Sequence, residues 1–386
     1  MKDIALNGEL IARAAHLEGK RLALLLPSLL PVGGVETVAL SRSRLLCDLG
    51  LRVDLLFVNE PNATQDWLPT GARCINFGSG RLRHVVRPLR RYLIEERPDA
   101  VVAAMWPLTS LAVVAHKLAR SRARLVTSDH NVLSVQYRNK SKVSRAMLRA
   151  SIAATYSLAD ARIAVSIDVK NDLARLSGLP PQRFDVVQNP LPLVVDDGPA
   201  SNAAEAAWGV PPGKRILTVG RLKAQKNQKL LIDAFRLLEA DAHARLMILG
   251  TGELEDELRN YISAHGLASR VLMPGHVDQP VDYYKSADLF ALTSDAEGFG
   301  NVLLEALACG LPIVSTDCPG GPREILADGA YGRLVAMNSA AAFSDAIKQG
   351  LEQGADPNRQ RQRAEQFSLA ATTTRYLDVV FPAARH

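Results

Sequence analysis

Short apolar runs alternate with longer amphipathic stretches from one end of the chain to the other. Runs without polar alternation suit strands buried on both faces, and the intervening stretches, periodic at about 3.6 residues, suit helices that cover them. The pattern predicts strands at residues 21–27, 53–58, 100–105, 125–128, 161–165 and 185–187, with a glycine loop at Gly33-Gly34 and a helix through Gly50 after the first. A second cycle predicts strands at 215–219, 246–249, 271–273, 289–292 and 312–315, and the polar stretch 349–365 should close it in a helix and turn. Between the cycles, Asn189-Pro190-Leu191-Pro192 and Asp196-Asp197-Gly198-Pro199 concentrate turn formers and read as a linker. The expected fold class is α/β: two doubly wound, Rossmann-like domains facing each other across a cleft, at residues 1–192 and 193–366.

Composition fits this organisation and narrows the partners. With 386 residues, 47% of them hydrophobic, the chain can bury two cores and does not read as disordered. The net charge of +6 is unevenly spread, since residues 1–195 hold 27 Lys+Arg against 16 Asp+Glu and the remainder of the 46 and 40 is 19 against 24. A basic first half favours an anionic membrane surface or a phosphate-bearing acceptor. Nucleic acid is disfavoured, because aromatic residues make up 5% of the chain and do not interleave with the basic ones. Cys47, Cys74, Cys309 and Cys318 have no paired spacing and should be reduced thiols. Residues 1–20 carry charges throughout, unlike a secretory signal, and the longest apolar stretch, 100–115, is interrupted by Pro107, Thr109 and Ser110. It falls short of the roughly 18–20 residues a membrane span requires, so the expected location is cytoplasmic, peripheral to the inner face of the membrane.

Open α/β sheets bind ligands beyond the carboxyl ends of their strands, and the chemistry-bearing residues fall there. Glu297 and Glu305 bracket Gly298-Phe299-Gly300-Asn301-Val302, a glycine loop opening into a helix, and Pro319-Gly320-Gly321-Pro322-Arg323-Glu324 follows one apolar run later. Unpaired N–H groups at the start of such a helix suit a phosphate, while the two carboxylates can hold separate hydroxyl-bearing parts of one ligand. Glu305 lies among apolar residues and should need a partner, which a sugar or ribose hydroxyl would supply. Arg221 and Lys226, five positions apart on a glycine-led loop, pair a planar fork with a compact charge and suit a diphosphate. Gly250-Thr251-Gly252 lets a backbone approach a nucleotide or forms a tight turn. With Glu255 at the third position of a dinucleotide fingerprint, it argues against an NAD-dependent dehydrogenase.

His130, just after a predicted strand, suits a ligand-facing position. Two tracts form basic amphipathic helices. Arg83, Arg87, Arg90, Arg91 and Arg97 oppose Val85, Val86, Leu89, Leu93 and Ile94, while Lys140, Lys142, Arg145 and Arg149 oppose Met147, Leu148 and Ile152. Taken singly, each feature has a plainer reading: a solvated helix face for the glutamates and basic tracts, surface charge for Arg221 and Lys226, and a packed turn residue for His130. No His, Cys and carboxylate spacing suits a metal, and no metal or other cofactor is expected.

Together these residues resemble the retaining, nucleotide-sugar-dependent family-4 glycosyltransferases of GT-B fold, of the bacterial type that builds lipopolysaccharide, exopolysaccharide or lipid-linked glycans. The likeness is strongest over residues 216–326 and weaker over 21–190, and its four motifs occur in order. It implies that Glu305 binds the nucleotide ribose, that Glu297 contacts donor-sugar hydroxyls, and that Arg221 with Lys226 neutralises the diphosphate. It also implies that Gly298, Phe299, Gly300, Asn301 and Val302 touch sugar and phosphate, that the Gly275-His276-Val277 turn lies by the base, and that Gly33-Gly34 is the first glycine loop. His130 matches a histidine on the acceptor side. The version of the motif at residues 318–326 resembles that of transferases using UDP-linked hexoses or N-acetylhexosamines. Similar proteins return their last helix, here within 367–386, to the first domain, whereas residues 1–20 have no counterpart. The implied activity is transfer of such a unit to a hydroxyl of a glycan or lipid-linked acceptor. A non-catalytic nucleotide-sugar-binding subunit of a glycan assembly complex is the alternative.

Overall fold

In the computed structural model, which describes residues 8–28, 34–58, 69–78, 81–193, 195–196, 198–209, 213–238 and 243–383, thirteen strands make two wholly parallel sheets. The chain divides into two units, Met1–Pro192 with Ser368–His386, and Leu193–Phe367.

The sheet of the first unit runs in the order β3-β2-β1-β4-β5-β6-β7. Its strands are β1 (Arg21–Leu26), β2 (Arg52–Phe57), β3 (Arg73–Asn76), β4 (Ala100–Ala104), β5 (Arg124–Asp129), β6 (Ala161–Ala164) and β7 (Asp185–Val186). The leucine run of β1 is buried on both faces because it lies between β2 and β4, in register at Leu24↔Leu55 and Leu24↔Val102. Alternate residues feed two cores. Leu22, Leu24, Val102 and Val126 meet helices Gly34–Asp48 and Leu369–Val380, and Ala23, Val101 and Leu125 meet helices Val86–Glu96 and Leu108–Ala119. The leader also has a place here, since helix Gly8–Ala15 buries Leu10 in the first of these cores and Arg13 pairs with Asp378 at 2.8 Å.

The second sheet runs β10-β9-β8-β11-β12-β13, with β8 (Arg215–Val219), β9 (Arg245–Leu249), β10 (Val271–Gly275), β11 (Leu289–Leu292), β12 (Ile313–Thr316) and β13 (Arg333–Val335). Strand order reverses direction between β8 and β11, so the loops leaving those two strands diverge and open a crevice at the carboxyl edge.

Two strands are absent from the sequence reading, β3 and β13, and both are edge strands. An edge strand is half-exposed, so Arg73-Cys74-Ile75-Asn76 and Arg333-Leu334-Val335 lack the unbroken apolar run that marks a central strand. The stretch expected to form one helix and turn is two helices, Ala340–Gln353 and Pro357–Glu365, the second capped by the Asp356 carboxylate accepting from Asn358 N at 2.9 Å.

Candidate active site

The loops after β8 and β11 are tied together across the crevice. Gln225 Nε2 donates to the Ala296 carbonyl at 2.6 Å, Asp295 N donates to the Gln225 carbonyl at 2.8 Å, and Asn227 Nδ2 donates to Asp295 Oδ1 at 2.9 Å. Asn227 takes a left-handed conformation, φ 45°, which lets its side chain cap helix Gln228–Arg236 by accepting from Leu230 N. This lattice fixes the backbone that carries the charged side chains.

Lys226 Nζ lies 2.6 Å from Glu297 Oε1, which also accepts from Ser294 Oγ at 2.6 Å. Glu297 is 7% exposed, so the pair is held largely out of water and each charge depends on the other. Arg221 is exposed, and no ion pair to its guanidinium occurs among the described residues. Burial, together with the nearby Lys226 charge, presses the Lys223 ammonium below the usual lysine range. Three cations thus share one short loop with a single engaged carboxylate, an arrangement that attracts a polyanion.

Gly300, at φ +100°, starts helix Asn301–Ala308, and Glu305 lies inside it. Its partner comes from the protein rather than from a ligand: the hydroxyl of Tyr284, a wholly buried residue, donates to Glu305 Oε2 at 2.7 Å. Burial pushes the Glu305 carboxyl above its usual range, opposed by the Tyr284 hydrogen bond and by Lys226. Nothing in the local sequence around Glu305 signals a tyrosine 21 positions away.

Because its folded-state pKa is raised, Glu305 costs stability progressively as pH climbs from the ordinary carboxylate range to that value, and the full cost is present above it. Tyr284→Phe removes the one hydroxyl donor to the ionised form and raises the pKa further. The variant should lose about 1–3 kcal/mol, more above the Glu305 pKa than below it, in chemical denaturation run across pH. An equal loss at every pH would show that the hydroxyl serves packing alone.

Glycines bring the remaining loops close. Gly250 N donates to the Gly275 carbonyl at 2.8 Å, which draws the loops after β9 and β10 together and brings the Val277 turn to the same edge. A Cβ on Gly250 would lie 2.1 Å from the Gly220 carbonyl oxygen, and one on Gly252 would lie 2.3 Å from that of Leu222. Gly298 and Phe299 are buried, the latter edge-on to Phe367 at 5.6 Å between centroids, while Asn301 and Val302 are half-buried at the helix start. The sequence-predicted residues of the second unit therefore share one sheet edge. Ser294, Gln225 and Asn227, which hold them, were not singled out in the sequence.

In the first unit Gly34 opens helix Gly34–Asp48, and Gly33 lies outside the described residues. His130 follows β5, half-buried, with Nε2 3.1 Å from Ser128 Oγ. Burial, and secondarily the Arg42 charge, hold its pKa down to about 3, so it is a neutral imidazole at physiological pH. Its neighbour Asp129 is buried and accepts from Tyr156 OH at 2.6 Å, yet burial still pushes it up to about 7.

The basic tracts are exposed. Arg87, Arg90, Arg91 and Ile94 line a groove of about 700 Å³ beside Phe77, and Arg91 pairs with Glu95 at 2.8 Å. On helix Lys142–Thr155, Leu148 and Ile152 are buried as expected, but Met147 is 58% exposed, alongside Val143 at 72%. These two apolar side chains stand on the same solvated surface as Lys142, Arg145 and Arg149. Among the described residues, no group of three or more His, Cys, Asp or Glu is placed to hold a metal ion, and no helix is long and apolar enough to cross a membrane.

Comparison with known proteins matches both halves of the chain. Residues 32–194 match the family described as Glycosyltransferase Family 4, and residues 205–367 match Glycosyl transferases group 1. The chain is 32% identical over 264 residues to the N-acetylgalactosamine-N,N'-diacetylbacillosaminyl-diphospho-undecaprenol 4-alpha-N-acetylgalactosaminyltransferase of Campylobacter jejuni, covering 67% of this chain and 70% of that protein. It is 30% identical over 260 residues to the amylovoran biosynthesis glycosyltransferase AmsD of Erwinia amylovora, with the same coverage of 67% and 70%. Among solved structures, Anabaena Alr3699/HepE in complex with UDP superposes with a TM-score of 0.75 at 21% identity, covering 93% of this chain and 98% of that one. The lipopolysaccharide outer core galactosyltransferase WaaB gives a TM-score of 0.72 at 20% identity, covering 94% and 99%. At such identities these structures speak for the fold.

Proposed function

The chain belongs to the bacterial family-4 glycosyltransferases of GT-B fold, and from that premise we propose that its donor is a UDP-sugar whose hexosyl or N-acetylhexosaminyl unit it transfers with retention. The acceptor is a hydroxyl of a glycan or lipid-linked saccharide in cell-surface polysaccharide or lipopolysaccharide synthesis, a reading supported by the activities for which the two relatives are named. The observation that carries this reading is the loop pair at the β8/β11 crevice: Lys226 joined to Glu297 at 2.6 Å, with Arg221 and Lys223 beside it and a helix start directly after.

In this mechanism Arg221 and Lys226 hold the diphosphate, and the N–H groups at Gly298–Val302 add the positive end of helix Asn301–Ala308. Glu297, oriented by Lys226 and Ser294, accepts hydrogen bonds from donor-sugar hydroxyls, and the remaining oxygen of Glu305 accepts from the ribose. The backbone at Gly250, Gly252 and Val277 borders the base. As the bond between the anomeric carbon and the diphosphate oxygen breaks, negative charge grows on that oxygen, and the preorganised cations and N–H dipoles stabilise it. The acceptor oxygen bonds to the anomeric carbon from the face the diphosphate leaves. Its proton passes to the departing phosphate oxygen, giving UDP. No step requires a metal ion, and activity should survive excess EDTA.

The first unit takes the acceptor, with His130 as a neutral hydrogen-bonding group, and Gly34, at the start of helix Gly34–Asp48, is among the donor-binding residues. Arg87, Arg90, Arg91, Lys142, Arg145 and Arg149, interspersed with exposed Ile94, Val143 and Met147, suit the surface of an anionic membrane carrying that acceptor on its cytoplasmic side. A panel of UDP- and GDP-sugars assayed for slow donor hydrolysis tests the donor assignment without knowledge of the acceptor. One UDP-sugar should be hydrolysed fastest, with α product from an α donor by NMR. Turnover of GDP-sugars alone would reject UDP, and inverted product would reject retention. Glu305→Ala should weaken UDP binding in calorimetry about tenfold, and an unchanged affinity would remove the ribose role.

A further inference from the structure

Eight buried side-chain polar atoms lack a hydrogen-bond partner among the described residues, and four of them belong to one layer of the first unit: Arg42 Nε and Nη2, His130 Nδ1 and Thr373 Oγ1. Alternation along β5 explains the grouping. Val126 faces the core shared by helices Gly34–Asp48 and Leu369–Val380, so Ser128 shares its face, and Ser128 Oγ meets His130. Arg42 extends from the first helix with its guanidinium 4.4 Å from the ring centroid of Tyr376 on the second, and Thr373 lies one turn from Tyr376. Side chains on a helix lean toward its N-terminus, which directs Arg42 toward the carboxyl edge of the sheet, where its charge acts on His130.

Arg42 is 8% exposed, and among the described residues no carboxylate is one of the groups that act on it. A buried arginine normally has an acidic partner. The other buried arginine among the described residues, Arg162, is satisfied by backbone carbonyls, those of Tyr156 and Ala159 at 2.6 and 2.5 Å, while the exposed Arg73 presents Nε and Nη2 to the two oxygens of Asp54 at 3.0 and 2.8 Å. Arg42 leaves that same side-on edge unpaired. Burial lowers its pKa to about 10, so it keeps its charge at neutral pH. An unpaired charge held in a core is strongly unfavourable for folding, and such a group is characteristic of a site that a ligand completes.

We propose that Arg42, with His130 and Thr373, forms a binding site for an oxyanion, a phosphate or carboxylate carried by a small-molecule ligand of the first unit. The Nε–H and Nη2–H pair grips two oxygens of the anion, and His130 and the Thr373 hydroxyl take the others. Assigning the anion to the glycosyl acceptor rests on the transferase reading above, whereas the binding itself does not.

The test is thermal unfolding of the full chain with inorganic phosphate or with glucuronate, each with and without UDP. Wild type should be stabilised saturably by one of them, which identifies phosphate or carboxylate as the group recognised. Arg42→Met should bind that anion at least about tenfold more weakly. Relieved of its buried charge, it should also melt about 2–4 °C higher without ligand. Arg42→Lys, which keeps the charge and loses the planar edge, should show the same weakening, and serves if the Met variant does not fold. The response should persist in the Arg221→Ala/Lys226→Ala variant, which separates it from the diphosphate loop. Failure of UDP to stabilise wild type would count against the donor reading alone. An undiminished anion response in the Arg42 variants, or none from wild type with either anion, would overturn the site.

Discussion

Lys226→Ala is expected to lower transferase turnover by about 10²–10³-fold, or about 2.7–4 kcal/mol of barrier, the scale of removing one preorganised group from a developing oxyanion. The same change should lower stability, because it strands Glu297. That carboxylate is buried, and with Lys226 gone its Oε1 keeps, among the described residues, only the Ser294 hydroxyl. Breaking a buried pair from one side is worth about 3–5 kcal/mol. The two effects can be separated. In Lys226→Ala/Glu297→Gln the stranded charge is gone, so most of the lost stability should return while turnover stays low. Denaturant midpoints and donor hydrolysis rates measured on wild type and the two variants decide the matter. If the double variant recovered turnover, Lys226 would act only by neutralising Glu297, and the diphosphate role would fall.

Gly320→Ala should be at least as damaging, for a reason set by backbone rather than charge. Gly320 has φ +127°, and a Cβ there would lie 1.9 Å from the Glu297 carbonyl oxygen and 2.7 Å from its carbonyl carbon. Backbone has no flexible end that can move away, so the loop carrying Glu297 must shift. That breaks the hydrogen bond of Glu297 N to the Pro319 carbonyl, 2.9 Å long. Strain at a glycine-only conformation and overpacking each contribute about 1–3 kcal/mol. A loss of more than about 3 kcal/mol, with donor binding abolished, is the expected result. Gly329→Ala isolates strain from collision, since Gly329 has φ +97° and nothing within 4 Å of its Cβ position. It should destabilise by about 1–2 kcal/mol and leave donor binding intact. Equal losses in both variants would mean that the close approach of residues 297 and 320 does not shape the site.

The central strands were legible because burial on both faces demands runs such as Arg21–Leu26 and Arg245–Leu249, which no solvated element would tolerate. Edge strands β3 and β13 left no such mark. The charged loops were legible for a related reason: Arg221, Lys226 and Glu297 follow predicted strands, and chemistry in an open α/β sheet collects there. What joins them was not. Glu297 is 71 residues from Lys226, and Tyr284 is 21 from Glu305, so neither pairing has a local period to betray it. Arg42 was passed over because an arginine in an amphipathic helix reads as solvated, and only the packing of helix Leu369–Val380 against its face makes it buried.

Sequence by itself determined that this chain forms parallel α/β sheets and carries glycine loops, paired acids and loop cations in the order of a sugar-nucleotide transferase. Those properties depend on hydrophobic period and on residue type, which are local. Which acid meets which cation, which carboxylate is kept partly protonated, and which arginine is left without a counter-ion were decided by tertiary structure. Each of those depends on desolvation and on contacts between residues distant in the chain, and burial is a property of the folded whole.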